Sequence, residues 1–307
     1  MLYVFKLQYR LNRIFLLTEK IQLNFHYRYH LKETMGLFGS KEDPEDLMYK
    51  AISLMERNQP KVAISLFNKI IKQDPKNTSA LYSKGLALNQ IRKYSDAVTC
   101  FDLLLKINPK DSQAYNNKGI AMAEMGDTQT ANDCYEKAIK ADPKNSASYF
   151  NKGVLLDRLQ EHEEALEFLN KAISTDSKKS NAMFYKGLVL GKIKKHEEAL
   201  NCFENVYKKY PSHMDAFFHK GIELAELERH EKAIKIFDQI LLKHKDNTGV
   251  IYAKSRSIFA LGRYPESLEL LKKAISLKGK TVREWAKKEK IFERLHDNEQ
   301  FRKMVKL

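Results

Sequence analysis

The feature that most constrains this chain is a repeat of 34 residues that runs through its middle. A Lys-Gly pair recurs at this spacing, with the glycines at Gly85, Gly119, Gly153, Gly187 and Gly221. Counted from Pro44, the twentieth position of each 34-residue unit is Ala or Ser, and the twenty-fourth is a large apolar or aromatic residue. Self-similarity of this length is typical of stacked repeats, in which each unit packs mainly against its neighbours.

Seven consecutive units fit this register. They are residues 44–77, 78–111, 112–145, 146–179, 180–213, 214–247 and 248–281. Within the second unit, Leu81 and Leu88 lie on one apolar helical face, and Phe101 and Leu104 lie on another after a turn. Asp-Pro-Lys-Asn runs follow the second helix in several units. They are expected to end that helix, because proline disfavours helix in the residue before it, and to start the next one, because asparagine can cap it. Each unit therefore predicts two helices joined by a turn.

Small and large positions alternate between the two predicted helices. The Gly and Ala positions let the backbones approach closely, and a bulky replacement there would cost about 1–3 kcal/mol through overpacking. The seventh position is lysine in all seven units, from Lys50 to Lys254. We expect the stem of this lysine to pack and its ammonium to reach water.

The unit length and the order of small, aromatic, small and proline positions resemble the tetratricopeptide repeat family over residues 44–281. The resemblance implies an all-α fold, a right-handed superhelical α-solenoid of seven helix–turn–helix repeats. Lysine before the glycine departs from the leucine usual in the family. The 35-residue, RNA-binding pentatricopeptide family matches less well. We expect residues 282–307 to form a C-terminal capping helix over the open apolar edge of the last repeat; a partner-binding helix is the alternative.

Residues 1–43 are an N-terminal extension outside the register. Positions 21–31 alternate apolar and polar residues in a strand-like pattern, with nothing in the array to pair with. We expect this segment to be poorly ordered, or to lie upstream of a natural start at Met35. The Met-Gly sequence at Met35 also fits the short pattern for N-myristoylation, which would apply only after removal of that methionine.

The resemblance implies a peptide groove lined by the first helix of each unit, at its fifth, sixth and ninth positions. The candidate residues are Tyr82, Leu86, Asn116, Asn117, Phe150, Asn151, Phe184, Tyr185, Phe218, His219, Ile222 and Tyr252. Asparagine side chains donate and accept hydrogen bonds and therefore suit a peptide backbone. The alternative is that part of this strip packs between neighbouring units. No unit carries the lysine and asparagine with which family members grip chaperone carboxylates, so we do not expect a carboxylate-clamp cochaperone.

The sequence offers no arrangement of residues that indicates catalysis, a metal or a cofactor. Phosphate-binding loops, nucleophile elbows and paired-cysteine motifs are missing from it. Cys100, Cys134 and Cys202 share one position in their units, which predicts reduced packing residues too far apart for a disulfide. His162, His196 and His230 share a turn position, which favours repeated turn residues over a metal site.

The net charge of +15 is spread along the chain among acidic residues, and the predicted groove contains little Lys or Arg. We therefore expect a non-catalytic cytoplasmic adaptor that binds a peptide or helix of a protein partner. No apolar run approaches the roughly 20 residues of a membrane-spanning helix. The alternative function is binding of nucleic acid or another anionic surface through the basic ends of the chain.

Overall fold

The computed structural model describes residues 43–176 and 180–306 of the 307. The strand-like pattern of residues 21–31, the start at Met35 and the myristoylation pattern after it lie outside the described residues. Within the described part, no helix is long and apolar enough to cross a lipid bilayer.

The described residues form consecutive pairs of helices and no strand, which confirms the predicted all-α class. The first helices are α1 (Pro44–Glu56), α3 (Thr78–Gln90), α5 (Ser112–Met125), α7 (Ser146–Arg158), α9 (Ser180–Lys192), α11 (Met214–Glu226) and α13 (Thr248–Ala260). The second helices are α2 (Pro60–Gln73), α4 (Tyr94–Ile107), α6 (Thr128–Ala141), α8 (His162–Thr175), α10 (His196–Lys209), α12 (His230–Lys243) and α14 (Tyr264–Lys288). The division into seven units with the stated limits stays a prediction.

A residue with positive φ follows the first helix of each pair. These residues are Asn58, Arg92, Gly126, Gln160, Lys194, Glu228 and Gly262, with φ between 57° and 91°. The second helix begins two residues later in every pair. Glycine adopts this left-handed backbone at little cost, yet five of the seven positions carry another residue.

Side-chain caps begin several of the first helices, as the asparagines predict. Asn77 Oδ1 accepts a hydrogen bond from the backbone N–H of Ala80 at 2.9 Å, and Asn247 Oδ1 accepts one from Val250 at 3.2 Å. These bonds satisfy backbone donors that have no partner within the helix. At Pro75, for example, one helix ends at Gln73 just before the proline, and Asn77 just after it caps the next helix.

The alternation of small and large positions gives the close packing that it predicts. A Cβ atom built on Gly85 would lie 2.6 Å from the ring of Phe101, and one on Gly221 would lie 2.7 Å from the ring of Phe237. Both rings are fully buried. Helix-to-helix contact within these pairs therefore depends on the missing side chain.

The lysine before the glycine forms ion pairs between successive helix pairs. Its ammonium forms an ion pair with a carboxylate on the second helix of the preceding pair at four positions, at distances from 2.6 to 3.0 Å. The pairs are Lys118–Asp102, Lys152–Glu136, Lys220–Glu204 and Lys254–Asp238. These ion pairs were not predicted from the sequence; an acidic residue lies within reach of the ammonium at each of these positions.

Two compact blocks divide the described chain. We call residues 43–155 the N-terminal block and residues 156–306 the C-terminal block; the boundary falls within α7. Phe67 and Phe101 are fully buried in the core of the first block, and Phe203 and Phe237 are fully buried in the core of the second.

Residues after the last repeat pack on α13 and α14 and close the C-terminal block. The sequence predicts one capping helix, whereas in the structure this segment is divided. Helix α14 runs on to Lys288 with a break at Lys278, a 3-10 helix spans Lys290–Leu295, and α15 spans Glu299–Val305. The side chain of Asn298 caps α15, which starts a separate helix there.

Candidate functional site

In the N-terminal block, predicted groove residues on α3, α5 and α7 are joined by side-chain hydrogen bonds. Asn117 Nδ2 donates to Tyr82 Oη at 2.9 Å and to the backbone oxygen of Gln113 at 2.8 Å. Asn151 Nδ2 donates to Asn116 Oδ1 at 2.6 Å. Asn117 thus uses both amide protons within the protein, so its side chain has no proton to donate to a peptide.

The same residues differ in their access to solvent. The side chains of Tyr82, Asn116, Asn117 and Asn151 are buried, whereas those of Leu86 and Phe150 are half-buried. The predicted polar spot is therefore largely internal and holds neighbouring first helices together. The part of this strip that a ligand can reach is mainly apolar.

In the C-terminal block, α9 and α11 carry an aromatic cluster that contains three predicted groove residues, Phe184, Phe218 and His219. The rings of Phe184 and His219 have centroids 5.6 Å apart, and His219 stacks on Phe203 at 5.2 Å. Burial lowers the pKa of His219 to about 4, so its imidazole is neutral at physiological pH. Its role in this cluster is therefore that of a packed aromatic ring.

The predicted groove residues of this block also differ in their exposure to solvent. Phe184 and Tyr252 are buried. Tyr185, Phe218, His219 and Ile222 are half-buried. Phe218 and Ile222 lie four residues apart on α11 and therefore on the same side of that helix.

Tyr252 is covered by the C-terminal segment of the chain. Its ring centroid lies 5.4 Å from that of Trp285 and 6.2 Å from that of Phe292. One turn further along α13, Arg256 forms an ion pair with Glu289, with 2.9 Å between Nε of the arginine and Oε2 of the glutamate. The segment after α13 thus occupies the surface that the sequence analysis assigns to a ligand at this position.

A buried carboxylate that the sequence analysis does not single out lies beside the predicted residue Tyr185. Asp157 is 3% exposed and accepts hydrogen bonds from Tyr185 Oη at 2.8 Å and Lys192 Nζ at 2.5 Å. His162 Nδ1 lies 3.1 Å from its other oxygen. Burial, followed by the charge of Asp157, raises the pKa of Tyr185, so its phenol keeps its proton. Asp157 stands at the twelfth position of its unit, where the residue type varies between units, so the repeat did not indicate it.

Histidines at the shared turn position are the first residues of α8, α10 and α12. His196 Nδ1 lies 2.8 Å from Glu223 Oε2, and burial raises the pKa of that carboxyl group. Each such contact joins one imidazole to one carboxylate. No group of three or more metal-ligand side chains occurs in the described residues.

The three cysteines are buried free thiols. Burial raises the pKa of each, and that of Cys202 to about 11. Since the thiolate is the reactive form, these residues are poor nucleophiles. Their placement agrees with the packing role expected from the sequence.

A cleft of ≈ 520 Å³ opens elsewhere on the C-terminal block, and none of the predicted groove residues lines it. Helix α10 contributes acidic residues, including Glu197 and Glu204, and Lys232 and Lys235 line it from α12. Glu197 and Glu204 already form ion pairs with Arg229 and Lys220. Because its charges largely neutralise one another, the cleft favours no particular class of ligand.

Three family models match overlapping parts of the chain. The N-terminal TPR repeats region of Psidin matches residues 48–156, subunit 3 of the anaphase-promoting complex (cyclosome) matches 124–206, and the tetratricopeptide repeat matches 186–249. Together these matches run from residue 48 to residue 249. No curated protein matches the chain at a significant level.

Solved structures with the same kind of fold include YrrB, whose structure is described as that of a TPR protein with an unusual peptide-binding site. It is 26% identical, with a TM-score of 0.50, over 61% of this chain and 97% of its own. A tetratricopeptide repeat protein from Parabacteroides merdae is 15% identical, with a TM-score of 0.57, over 78% of this chain and 96% of its own. The Cut9-Hcn1 hetero-tetramer of APC/C contains a chain that is 15% identical, with a TM-score of 0.55, over 88% of this chain and 58% of its own.

Proposed function

The chain belongs to the tetratricopeptide repeat family, and from this premise we propose that it is a non-catalytic scaffold that binds a peptide or helix of a protein partner along its first helices. Proteins of this family generally act by binding other proteins. The proposed mechanism is binding alone, with no reaction assigned to any residue.

The observation that carries the proposal is the half-buried apolar pair Phe218 and Ile222 on α11. Both pack against the buried core of the C-terminal block, which includes Phe217 and Phe237. Apolar surface gains about 25 cal/mol for each Å² removed from water, so a partner that covered this pair would be stabilised there. YrrB, 26% identical to this chain, supports a peptide ligand because its structure is described as containing a peptide-binding site.

Leu86 on α3 and Phe150 on α7 are further half-buried apolar side chains of the N-terminal block, and in this proposal they line its part of the groove. Their neighbours Asn117 and Asn151 are engaged in hydrogen bonds within the protein. We therefore assign recognition at this surface mainly to apolar contact.

Selection of peptides from a display library tests the proposal, using the wild-type protein and the variants Ile222→Arg and Leu86→Arg. Leu242→Arg is the matched control. It introduces the same arginine outside the proposed surface, at a leucine on α12 that is 77% exposed. Circular dichroism establishes that each variant is folded. We expect peptides that bind the wild type and the control but lose affinity for at least one groove variant.

Peptides that bind all four proteins equally would place recognition elsewhere. Selection of no peptide at all would contradict a peptide-binding groove. Affinity purification from cells with the same four proteins then identifies the natural partner, as a protein lost only with the groove variants.

A further inference from the structure

We propose that the partner segment bound by the N-terminal block is an α-helix, whose apolar side chains rest on Leu86, Ile120 and Val154; this inference rests on the proposed function. That function leaves open whether the partner contributes an extended peptide or a helix. We call Leu86, Ile120 and Val154 the aliphatic row. They are the ninth residues of their units and lie on α3, α5 and α7.

The ninth position is aliphatic in six consecutive units. All six side chains are half-buried, and they are Ile52, Leu86, Ile120, Val154, Leu188 and Ile222. Leu86 and Ile120 pack against buried clusters of the N-terminal block. Both are therefore held by the core and keep part of their apolar surface in contact with water.

Hydrogen bonds hold the three helices of the aliphatic row side by side. Asn117 on α5 donates to Tyr82 on α3 at 2.9 Å. Asn151 on α7 donates to Asn116 on α5 at 2.6 Å. Both bonds join the sixth position of one helix to the fifth position of the helix before it, and the ninth position lies one turn beyond the fifth on the same side. The members of the aliphatic row therefore follow one another across the three helices.

The amide side chains on these helices serve acceptors within the protein. Asn117 donates both of its amide protons, to Tyr82 Oη and to the backbone oxygen of Gln113. Asn89, near the end of α3, donates to the backbone oxygen of Asn117 at 3.2 Å. A partner that lies on the aliphatic row therefore meets apolar side chains rather than these amide donors.

This use of the donors favours a helical partner. An extended peptide on the row would bring its backbone N–H and C=O groups against aliphatic side chains, and a backbone group that loses water without gaining a new partner is unfavourable. A helix satisfies its backbone groups internally and presents an apolar face. The aliphatic row therefore suits the apolar face of an amphipathic helix.

The spacing of the row also predicts a pattern in the partner. Helices that pack side by side lie about 8–10 Å apart. Seven residues of a helix advance about 10.5 Å. Apolar residues seven apart in the partner would therefore meet successive members of the row, and residues three or four apart would complete the same face.

In the C-terminal block, a helix of the chain itself makes this kind of contact. The part of α14 after the break at Lys278 carries Trp285, whose ring centroid lies 5.4 Å from that of Tyr252 at the fifth position of α13. The ninth position of α13 is Arg256, which pairs with Glu289 just after α14. An aliphatic residue is thus replaced at the ninth position where the chain covers a first helix with its own helix.

Peptides of about 20 residues, selected on the wild-type protein from a display library, are the probe. Each is synthesised as selected, with alanine at a central position where alanine leaves the affinity unchanged, and with proline at that position. Fluorescence anisotropy gives the affinities. Circular dichroism gives the helix content of the peptide, from the spectrum of the complex minus that of the free protein.

The protein variants are Ile120→Arg in the middle of the aliphatic row and the milder Ile120→Ala. Ile107→Arg is the matched control, because it makes the same change in the same block at an isoleucine of α4 that is 41% exposed. Circular dichroism and thermal denaturation establish that each variant is folded.

We expect binding to raise the helix content of the peptide. The proline peptide should bind about a hundredfold more weakly than its alanine counterpart, because proline in a helix interior removes a hydrogen bond and clashes with the preceding turn. Ile120→Arg should weaken binding at least about tenfold, and Ile107→Arg should bind like the wild type. Ile120→Ala should weaken binding about fivefold, which keeps the test decisive should the arginine variant fold poorly.

The outcomes separate the two proposals. Peptides that gain no helix content and tolerate proline, but lose affinity for Ile120→Arg, would retain the scaffold and overturn the helical partner. Helical peptides that bind both Ile120 variants as tightly as the wild type, but lose affinity for Ile222→Arg, would retain the scaffold and overturn the aliphatic row as the contact surface. Failure to select any peptide would overturn both proposals.

Discussion

Lys152 donates a hydrogen bond from its ammonium to Glu136 Oε1 at 2.7 Å, and this ion pair joins α7 to the second helix of the preceding pair. The lysine side chain is only 7% exposed, although the glutamate is 56% exposed. Equivalent pairs recur wherever Asp or Glu occupies the position of Glu136 on α4, α6, α10 and α12. The lysine that departs from the family pattern therefore links successive pairs of helices.

This relationship predicts that Asn170→Asp stabilises the protein. Asn170 on α8 occupies the equivalent position opposite Lys186, and no ion pair of Lys186 is found among the residues that the structure describes. A new pair should raise the free energy of unfolding by about 0.5 kcal/mol, as measured by urea denaturation, and the gain should shrink at high salt. In a Lys186→Gln background the same change should give nothing; an equal gain there would mean that the aspartate acts by another route.

A second prediction concerns the glycines of the first helices. Gly85→Ala should lower the free energy of unfolding by about 1 kcal/mol, because overpacking against the fully buried Phe101 outweighs the helix propensity gained by alanine. Gly249→Ala on α13 is the matched control: its Cβ would meet nothing closer than Asn247 Oδ1 at 3.6 Å. That variant should be neutral or more stable in thermal denaturation.

The chain itself suggests a compensating change for Gly85→Ala. In the last pair the glycine position is Ser255 and the aromatic position is Leu271, and both are fully buried. Adding Phe101→Leu to Gly85→Ala should therefore cost less than the sum of the two single substitutions. Additive losses would show that the ring and the glycine do not compete for the same space.

A third prediction follows from the left-handed turn between the paired helices. Glu228 has φ of 58°, a conformation that costs a residue with a Cβ roughly 1 kcal/mol or more relative to glycine. Glu228→Gly should therefore raise the thermal midpoint of unfolding. Gly262→Ala is the converse test, because φ there is 78° and no atom lies within 4 Å of the new Cβ. It should destabilise through backbone strain alone, and a neutral result would contradict the argument.

These turns also show which parts of the fold can be predicted from the sequence. The repeated Gly, Ala and aromatic positions predict the helix pairs and their close packing, because residue type recurs where packing recurs. The left-handed turn position carries residues as different as Asn58 and Glu228, so its shared conformation left no mark in the sequence. The packing of the two paired helices imposes the backbone conformation of the turn that connects them.

The candidate site is harder to predict for the opposite reason. Asp157 and Lys192 occur once each at positions that otherwise vary, so repeat analysis passes over them although they lie 2.5 Å apart. The burial of Tyr252 depends on the path of the chain after Lys278, which no repeat register determines. Features that recur could be predicted from the sequence, whereas contacts made by single residues required the structure.

The last prediction concerns pH and His219. Its pKa lies at about 4 in the folded protein, compared with an ordinary value of 6.5, because the half-buried imidazole is desolvated where it packs on Phe184, Phe203 and Phe218, and because the nearby charge of His213 disfavours its protonation. The unfolded chain therefore binds more protons between these values. Stability from this residue is complete above pH 6.5 and is lost as pH falls towards 4, by at most about 1.4 kcal/mol for each pH unit.

Urea denaturation across this pH range tests the sign, with His219→Phe as the variant that keeps an aromatic ring but cannot titrate. We expect the wild type to lose stability more steeply than the variant as the solution becomes acidic. His213, whose pKa burial also lowers, contributes with the same sign and remains in both proteins. Because its charge also lowers the pKa of His219, the difference between the two curves reports the titration of His219 together with its coupling to His213. Parallel curves would mean that the imidazole titrates near its ordinary value and that the aromatic cluster around it is open to water.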